Sequence, residues 1–179
     1  TKMKKSMPWI RCAGFLVGLA VILGICDFCF APSGYVRFIL HEVNRKDTQY
    51  DTIILGASHA RSAINPEYLD EELGTNTLNL AIPGETVKDA YYLLKDACES
   101  NDVKTVIMDV DYQYWMDEQP QGYFTEPFIC QNITNLKVKT EYLLDNWDTI
   151  DLRNVLVRRL SWDCTWSSVK QNISTKMTE

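Results

Sequence analysis

Gly56-Ala57-Ser58-His59 follows directly on the apolar run Thr52-Ile53-Ile54-Leu55, and that order suits nucleophilic chemistry. A serine just past the end of a strand, where the chain turns toward a helix, presents its hydroxyl to solvent. Backbone N–H groups lie close by to receive negative charge. Such donors lower the barrier to acyl transfer by about 3 to 4 kcal/mol when they point at the developing oxyanion. A serine in the same place also serves simply to cap the next helix. His59 is the neighbour of Ser58, and adjacent side chains on a turn point apart. It therefore either shapes the site and contacts substrate or belongs to the turn alone. The other histidine, His41, precedes the strand and belongs near the opposite end of the sheet.

The elements that must position these residues can be read outward from the serine. Thr52–Leu55 is continuously apolar and ended by Gly56, as expected of a strand covered on both faces. Asn65-Pro66-Glu67 opens a helix with a cap, a preset first position and a favourable charge, and Gly74 closes it. Thr77–Ala81 is a second short strand, followed by a Pro83-Gly84 turn and Thr86 as the cap of another helix. Val87, Ala90, Tyr91, Leu94, Ala97 and Cys98 recur at helical spacing and predict the stripe that packs on the sheet. Thr105–Val110 is the third strand. Beyond Asp111 the text is loop-like, then offers helices over Lys139–Asn146 and Asp151–Leu160, with a polar ending that predicts a frayed terminus.

Strands alternating with helices and short connections predict an α/β domain with a parallel sheet, its ligands at the carboxyl ends of the strands. The order expected is a partial doubly wound, flavodoxin-like three-layer sandwich with the first strand in the middle. Three strands leave an apolar edge exposed unless further elements cover it, so the C-terminal part of the domain is expected to be missing or irregular.

Trp9–Phe30 is an apolar run close to the roughly 20 residues that a membrane helix requires. Lys2, Lys4, Lys5 and Arg11 crowd its amino-terminal side and favour a cytoplasmic amino terminus. A cleaved signal peptide shares these features, but cutting after Ala31 would leave Pro32 beside the scissile bond. The sequence therefore divides into a cytoplasmic tail (1–8), a single-pass anchor in the cell membrane (9–30), a connector (31–50, with a short helix over Tyr35–Val43) and an extracytoplasmic domain (51–179). The net charge of -6, without a concentrated basic surface, excludes a nucleic-acid binder. The two histidines and six cysteines show no zinc-finger spacing, and neither a metal nor a cofactor is expected.

"LGASHA", "NLAIPG" and "VIMDVDYQYW", in that order, resemble the first three blocks of membrane-anchored SGNH (GDSL-type) hydrolases, and more distantly the D-alanyl-transfer proteins of teichoic acid modification. The resemblance covers Asp51 to about Trp115. It implies that Ser58 is the nucleophile and an oxyanion donor through its own N–H, and that Gly84 supplies a second N–H. Asn79 would brace the second block. Where the family places an asparagine in its third block, this chain has Asp109, Asp111 and Gln113; Asp111 and Gln113, with His59, become candidate substrate contacts. The Asp-x-x-His element that provides the family's base is absent from the 179 residues.

The resemblance implies an extracytoplasmic serine esterase or O-acyltransferase acting on acyl esters of glycans or cell-envelope polymers. Its expected partners are the bilayer, an acyl-bearing polymer and other membrane acyltransferase components. The alternative is a non-catalytic, membrane-tethered binding or assembly module that keeps the fold without the base.

Overall fold

Thr52–Leu55 (β1), Thr77–Asn79 (β2) and Thr105–Met108 (β3) form one parallel sheet in the order β2-β1-β3. Thr52 is in register with both Thr77 and Thr105, and Leu55 with Met108. The computed structural model describes residues 7–110, 125–150 and 162–178. The helices among the described residues are, in chain order, α1 (Met7–Phe30), α2 (Tyr35–Glu42), α3 (Ser58–Ala63), α4 (Pro66–Leu73), α5 (Val87–Ser100), α6 (Thr125–Asn132), α7 (Leu136–Asp145) and α8 (Trp166–Thr178). The fold is α/β and mostly helical, with a three-stranded parallel sheet and one N-terminal apolar helix. The chain divides into two compact units, Gly34–Val155 and Thr1–Ser33 with Leu156–Glu179.

Within the sheet unit, β1 is buried along its whole length, as its unbroken apolar run requires. Because side chains alternate across a strand, its residues feed two cores. Ile53 and Leu55 join Leu40 of α2, Leu93 of α5, Ile129 of α6 and Tyr142 of α7. Ile54 points the other way, to Ala60 of α3, Leu69 of α4 and Ile107 of β3. β3 is an edge of the sheet, and Val106 and Met108 on it remain exposed.

The helix boundaries follow the local chemistry. Asn65 accepts the Glu67 N–H at 3.1 Å and Pro66 opens α4, while Gly74 adopts φ 66 at its end, the left-handed geometry that favours glycine. Thr86 and Asp89 cap α5 reciprocally: the Asp89 N–H donates to Thr86 Oγ1 at 3.2 Å and the Thr86 N–H to Asp89 Oδ2 at 2.8 Å. The second Asp89 oxygen accepts the Tyr142 hydroxyl at 2.7 Å, which ties α7 to the start of α5.

Several expectations are corrected. The buried face of α5 is Ala90, Leu93 and Ala97 with Asp89, Tyr92 and Asp96, rotated from the predicted stripe so that Tyr91 and Cys98 are exposed. The rotation is tolerated because both buried carboxylates find donors, Tyr142 for Asp89 and Asn44 for Asp96. β2 and β3 end sooner than expected, at Asn79 and Met108. Part of the segment expected to be loop-like is the helix α6, and the ending expected to fray is helical through Thr178. The helix expected over Asp151–Leu160, and Asp111 and Gln113, lie outside the described residues.

In the other unit, α1 has 24 residues, or about 36 Å at 1.5 Å per residue, against the ~30 Å of a bilayer's hydrocarbon core. It is long and apolar enough to cross a membrane. α8 packs on its carboxyl-terminal end. There the Asp163 N–H donates to Phe30 O (2.9 Å), Asn172 Nδ2 to Cys29 O (3.4 Å) and Lys176 Nζ to Phe28 O (2.8 Å). These donors satisfy carbonyls that the end of a helix leaves without intrahelical partners.

Candidate functional site

Ser58 is the first residue of α3, exposed, three residues beyond the end of the central strand. The turn that carries it is built on Gly56, whose φ of +146 disfavours a side chain. A Cβ there would stand 2.7 Å from Asp109 Cβ and 2.8 Å from Ala60 Cβ. The absence of a side chain thus lets α3 start immediately beside the end of β3, and Asp109 is fixed by its own N–H bond to Leu55 O at 2.9 Å.

Gly84 lies in the turn after β2. The Glu85 N–H donates to Ile82 O at 3.0 Å, and Gly84 has φ 78, so Pro83 and Gly84 hold the central positions of a type II turn. Gly84, like Ser58, is exposed at the carboxyl-end side of the sheet. Asn79 braces the pair of loops: its Nδ2 donates to Ala60 O (3.1 Å) and Ile64 O (3.2 Å) at the end of α3, and its Oδ1 accepts the Ala81 N–H (3.1 Å).

The principal residue missed by sequence reasoning is Glu85. Its carboxylate, 4% exposed, accepts the Gly56 N–H on one oxygen and the Ile82 N–H on the other, each at 2.9 Å. It thereby locks the Ser58 turn to the Gly84 turn. Two further residues frame the same end. Arg61 of α3 sets its guanidinium 4.0 Å above the Tyr35 ring, and the Tyr35 hydroxyl donates to Asn79 O at 3.1 Å. Burial raises the Tyr35 pKa, with Arg61 opposing and the negative charge of Glu85 reinforcing the rise. Only the position of Glu85 after Pro83-Gly84 could have drawn attention to it.

His59 follows Ser58 on α3, exposed, at a position turned about 100° around the helix. His41 is in the last turn of α2. The first turn of that helix carries Tyr35 at the strand-end side, whereas Val43, just past its end, accepts from Asn101, which precedes β3. The helix therefore runs away from Ser58. Thus the structure brings Ser58, Gly84 and the bracing Asn79 to one end of the sheet, with His59 alongside. No protein-family model matches the chain, and no curated protein or solved structure matches it either.

Proposed function

We propose that this chain is a membrane-anchored, extracytoplasmic serine esterase- or O-acyltransferase-like domain of the SGNH kind, with a doubly wound core and acyl-bearing glycans or envelope polymers as substrates. The observation that carries this reading is the placement of Ser58: first in a helix, exposed, beyond the central strand of a parallel sheet, with the Gly84 turn tied to it through Glu85. In acyl transfer the Ser58 hydroxyl attacks the acyl carbonyl. The carbonyl oxygen becomes the oxyanion held by the Ser58 and Gly84 N–H groups, and collapse breaks the ester C–O bond, the leaving oxygen taking up the proton given up by Ser58 so that the alcohol departs and acyl-Ser58 remains. Water then gives hydrolysis, or a second hydroxyl gives transfer. α1 holds the domain at the membrane, its basic start on the cytoplasmic side.

Asp109 favours a second reading, a binding or assembly module without turnover. Its Cβ stands 2.7 Å from the position of a Cβ on Gly56, so a carboxylate-bearing residue adjoins the turn where an oxyanion would form. Such a charge opposes the developing anion.

A fluorophosphonate probe separates the two. The esterase reading expects covalent labelling of the membrane-embedded chain that disappears in Ser58→Ala. Labelling that survives Ser58→Ala removes Ser58 as nucleophile, and an unlabelled but folded chain that retains acylated glycan leaves the binding module.

A further inference from the structure

α8 divides into three sectors when its residues are placed at 100° intervals. Val169, Asn172 and Lys176 form the face that meets the end of α1, with Val169 and Asn172 buried. Trp166, Ile173 and Met177, with Lys170, form a narrow neighbouring stripe; Trp166 is 73% and Met177 75% exposed. Ser167, Ser168, Gln171, Ser174, Thr175 and Thr178 make a wholly polar sector. That polar sector lies opposite the midpoint between the α1 face and the apolar stripe. The helix therefore has one side that bonds to the end of α1, one narrow apolar stripe and one polar side.

Its attachment fixes where along α1 those surroundings begin. Every hydrogen bond described above between α8 and the α1 segment falls on residues 28–33, and the Ser33 N–H donates to Asn172 Oδ1 at 3.1 Å in the same place. Toward its amino-terminal end, residues 8 to 25 of α1 are exposed along their length. Trp162 joins the seam, its Nε1 donating to Asp27 Oδ1 at 3.1 Å and its ring 5.7 Å from that of Phe30. Asp27, the acidic residue of α1, is thus met where the apolar span ends. α1 has no basic residue in its last turn, and Lys176 supplies a cation to its carbonyls from α8.

We propose that α8 is an interfacial helix that lies on the bilayer surface around the exit of α1, with Trp166, Ile173 and Met177 sunk to the boundary of headgroups and acyl chains. The occupant of the stripe is lipid because α8 is hydrogen-bonded to residues 28–33, just after the exposed apolar residues 8 to 25 of α1 that lipid surrounds, and is thus held at the level where that span ends. Indole and lysine are suited to that level: Trp166 presents an apolar ring with a polar N–H, and Lys170, its Nζ 5.5 Å from the Trp166 ring centre, reaches toward phosphate. The inference rests on α1 being membrane-inserted and is independent of any chemistry at Ser58.

The test is tryptophan quenching of the full chain in phosphatidylcholine vesicles whose acyl chains are brominated close to the headgroup. The emission of Trp166 is obtained as the difference from Trp166→Phe, and that of Trp9, at the other end of α1, as the difference from Trp9→Phe. Both residues are exposed, so neither substitution disturbs packing. An indole about 5–10 Å into the interface is expected to lose roughly half its emission or more. A Gln171→Trp, Trp166→Phe variant, which moves the indole to the polar sector, is expected to lose little. Quenching of Trp9 without quenching of Trp166 overturns the interfacial helix and leaves the anchor standing. Quenching of neither overturns both, and equal quenching from positions 166 and 171 overturns the proposed orientation.

Discussion

Glu85 Oε1 lies 2.9 Å from the backbone nitrogen of Gly56, across a sequence separation that spans the whole β1-to-β2 crossover. The bond is buried and charge-assisted, a kind worth about 1.5–3 kcal/mol. The Ile82 N–H, held by the other oxygen, also reaches Gly56 O at 3.1 Å and keeps that acceptor if Glu85 is lost. Glu85→Ala therefore costs chiefly the Gly56 partner, about 1–3 kcal/mol. Glu85→Gln does not rescue fully, because its amide can offer an acceptor to only one of two N–H donors. Urea midpoints in micelles should rank native, Gln, Ala in falling order; equal midpoints would sink the argument.

Gly56→Ala tests the same turn from its other side. The added methyl meets Asp109 Cβ at 2.7 Å and Ala60 Cβ at 2.8 Å, at a φ that L-residues rarely adopt. Overpacking and backbone strain each cost about 1–3 kcal/mol. Thermal unfolding of Gly56→Ala is expected at a clearly lower temperature than that of Gly34→Ala, where a Cβ meets nothing within 4 Å.

The two glycine-bearing turns were legible because their chemistry is local. Apolar runs set the strands, Pro83-Gly84 sets its turn, and Asn65-Pro66 and Thr86 set their helix starts before any tertiary contact is considered. What could not be read depends on distant partners. The burial of Asp89 and Asp96 needs Tyr142 and Asn44, each more than 50 residues away, and these invert the simple hydrophobic pattern of α5. The role of Glu85 needs Gly56, and the order of the final polar segment needs the carbonyls at the end of α1. A carboxylate or amide reads as surface in a sequence; only its donor reveals otherwise.

Asp96 makes stability depend on pH in an unusual direction. Burial raises its pKa, with the Asn44 amide and the Asn135 backbone opposing, Glu99 reinforcing and Lys139 opposing. A raised folded pKa means that the folded state holds the proton more tightly. The Asp96 contribution is then full below the ordinary carboxyl value of ~3.9 and is lost as pH rises through the folded value. Relative to Asp96→Asn, the native chain should lose stability with rising pH above about 4, by no more than about 1.4 kcal/mol per pH unit. A difference in urea midpoints that stays flat or grows with pH would contradict this.

The thiols report both packing and sidedness. Cys98 is exposed on α5, whereas Cys130 is buried in α6 with its pKa pushed up to about 11 by burial. Since the thiolate is the reactive form, Cys130 is protected twice, by access and by ionisation. Cys98 is itself slowed, because partial burial and Glu99 raise its pKa. Cys164 is exposed in the α1 unit. A membrane-impermeant maleimide should therefore modify Cys98 and Cys164 in the folded chain and reach Cys130 only after denaturant, read by peptide mass. Applied to intact cells, the same reagent should reach Cys98 without lysis if the lysine-rich start of the chain holds the amino terminus in the cytoplasm. Modification of Cys98 only after lysis would place the sheet unit on the cytoplasmic side and remove extracytoplasmic polymers as its substrates, while early modification of Cys130 would mean that α6 does not pack on the core.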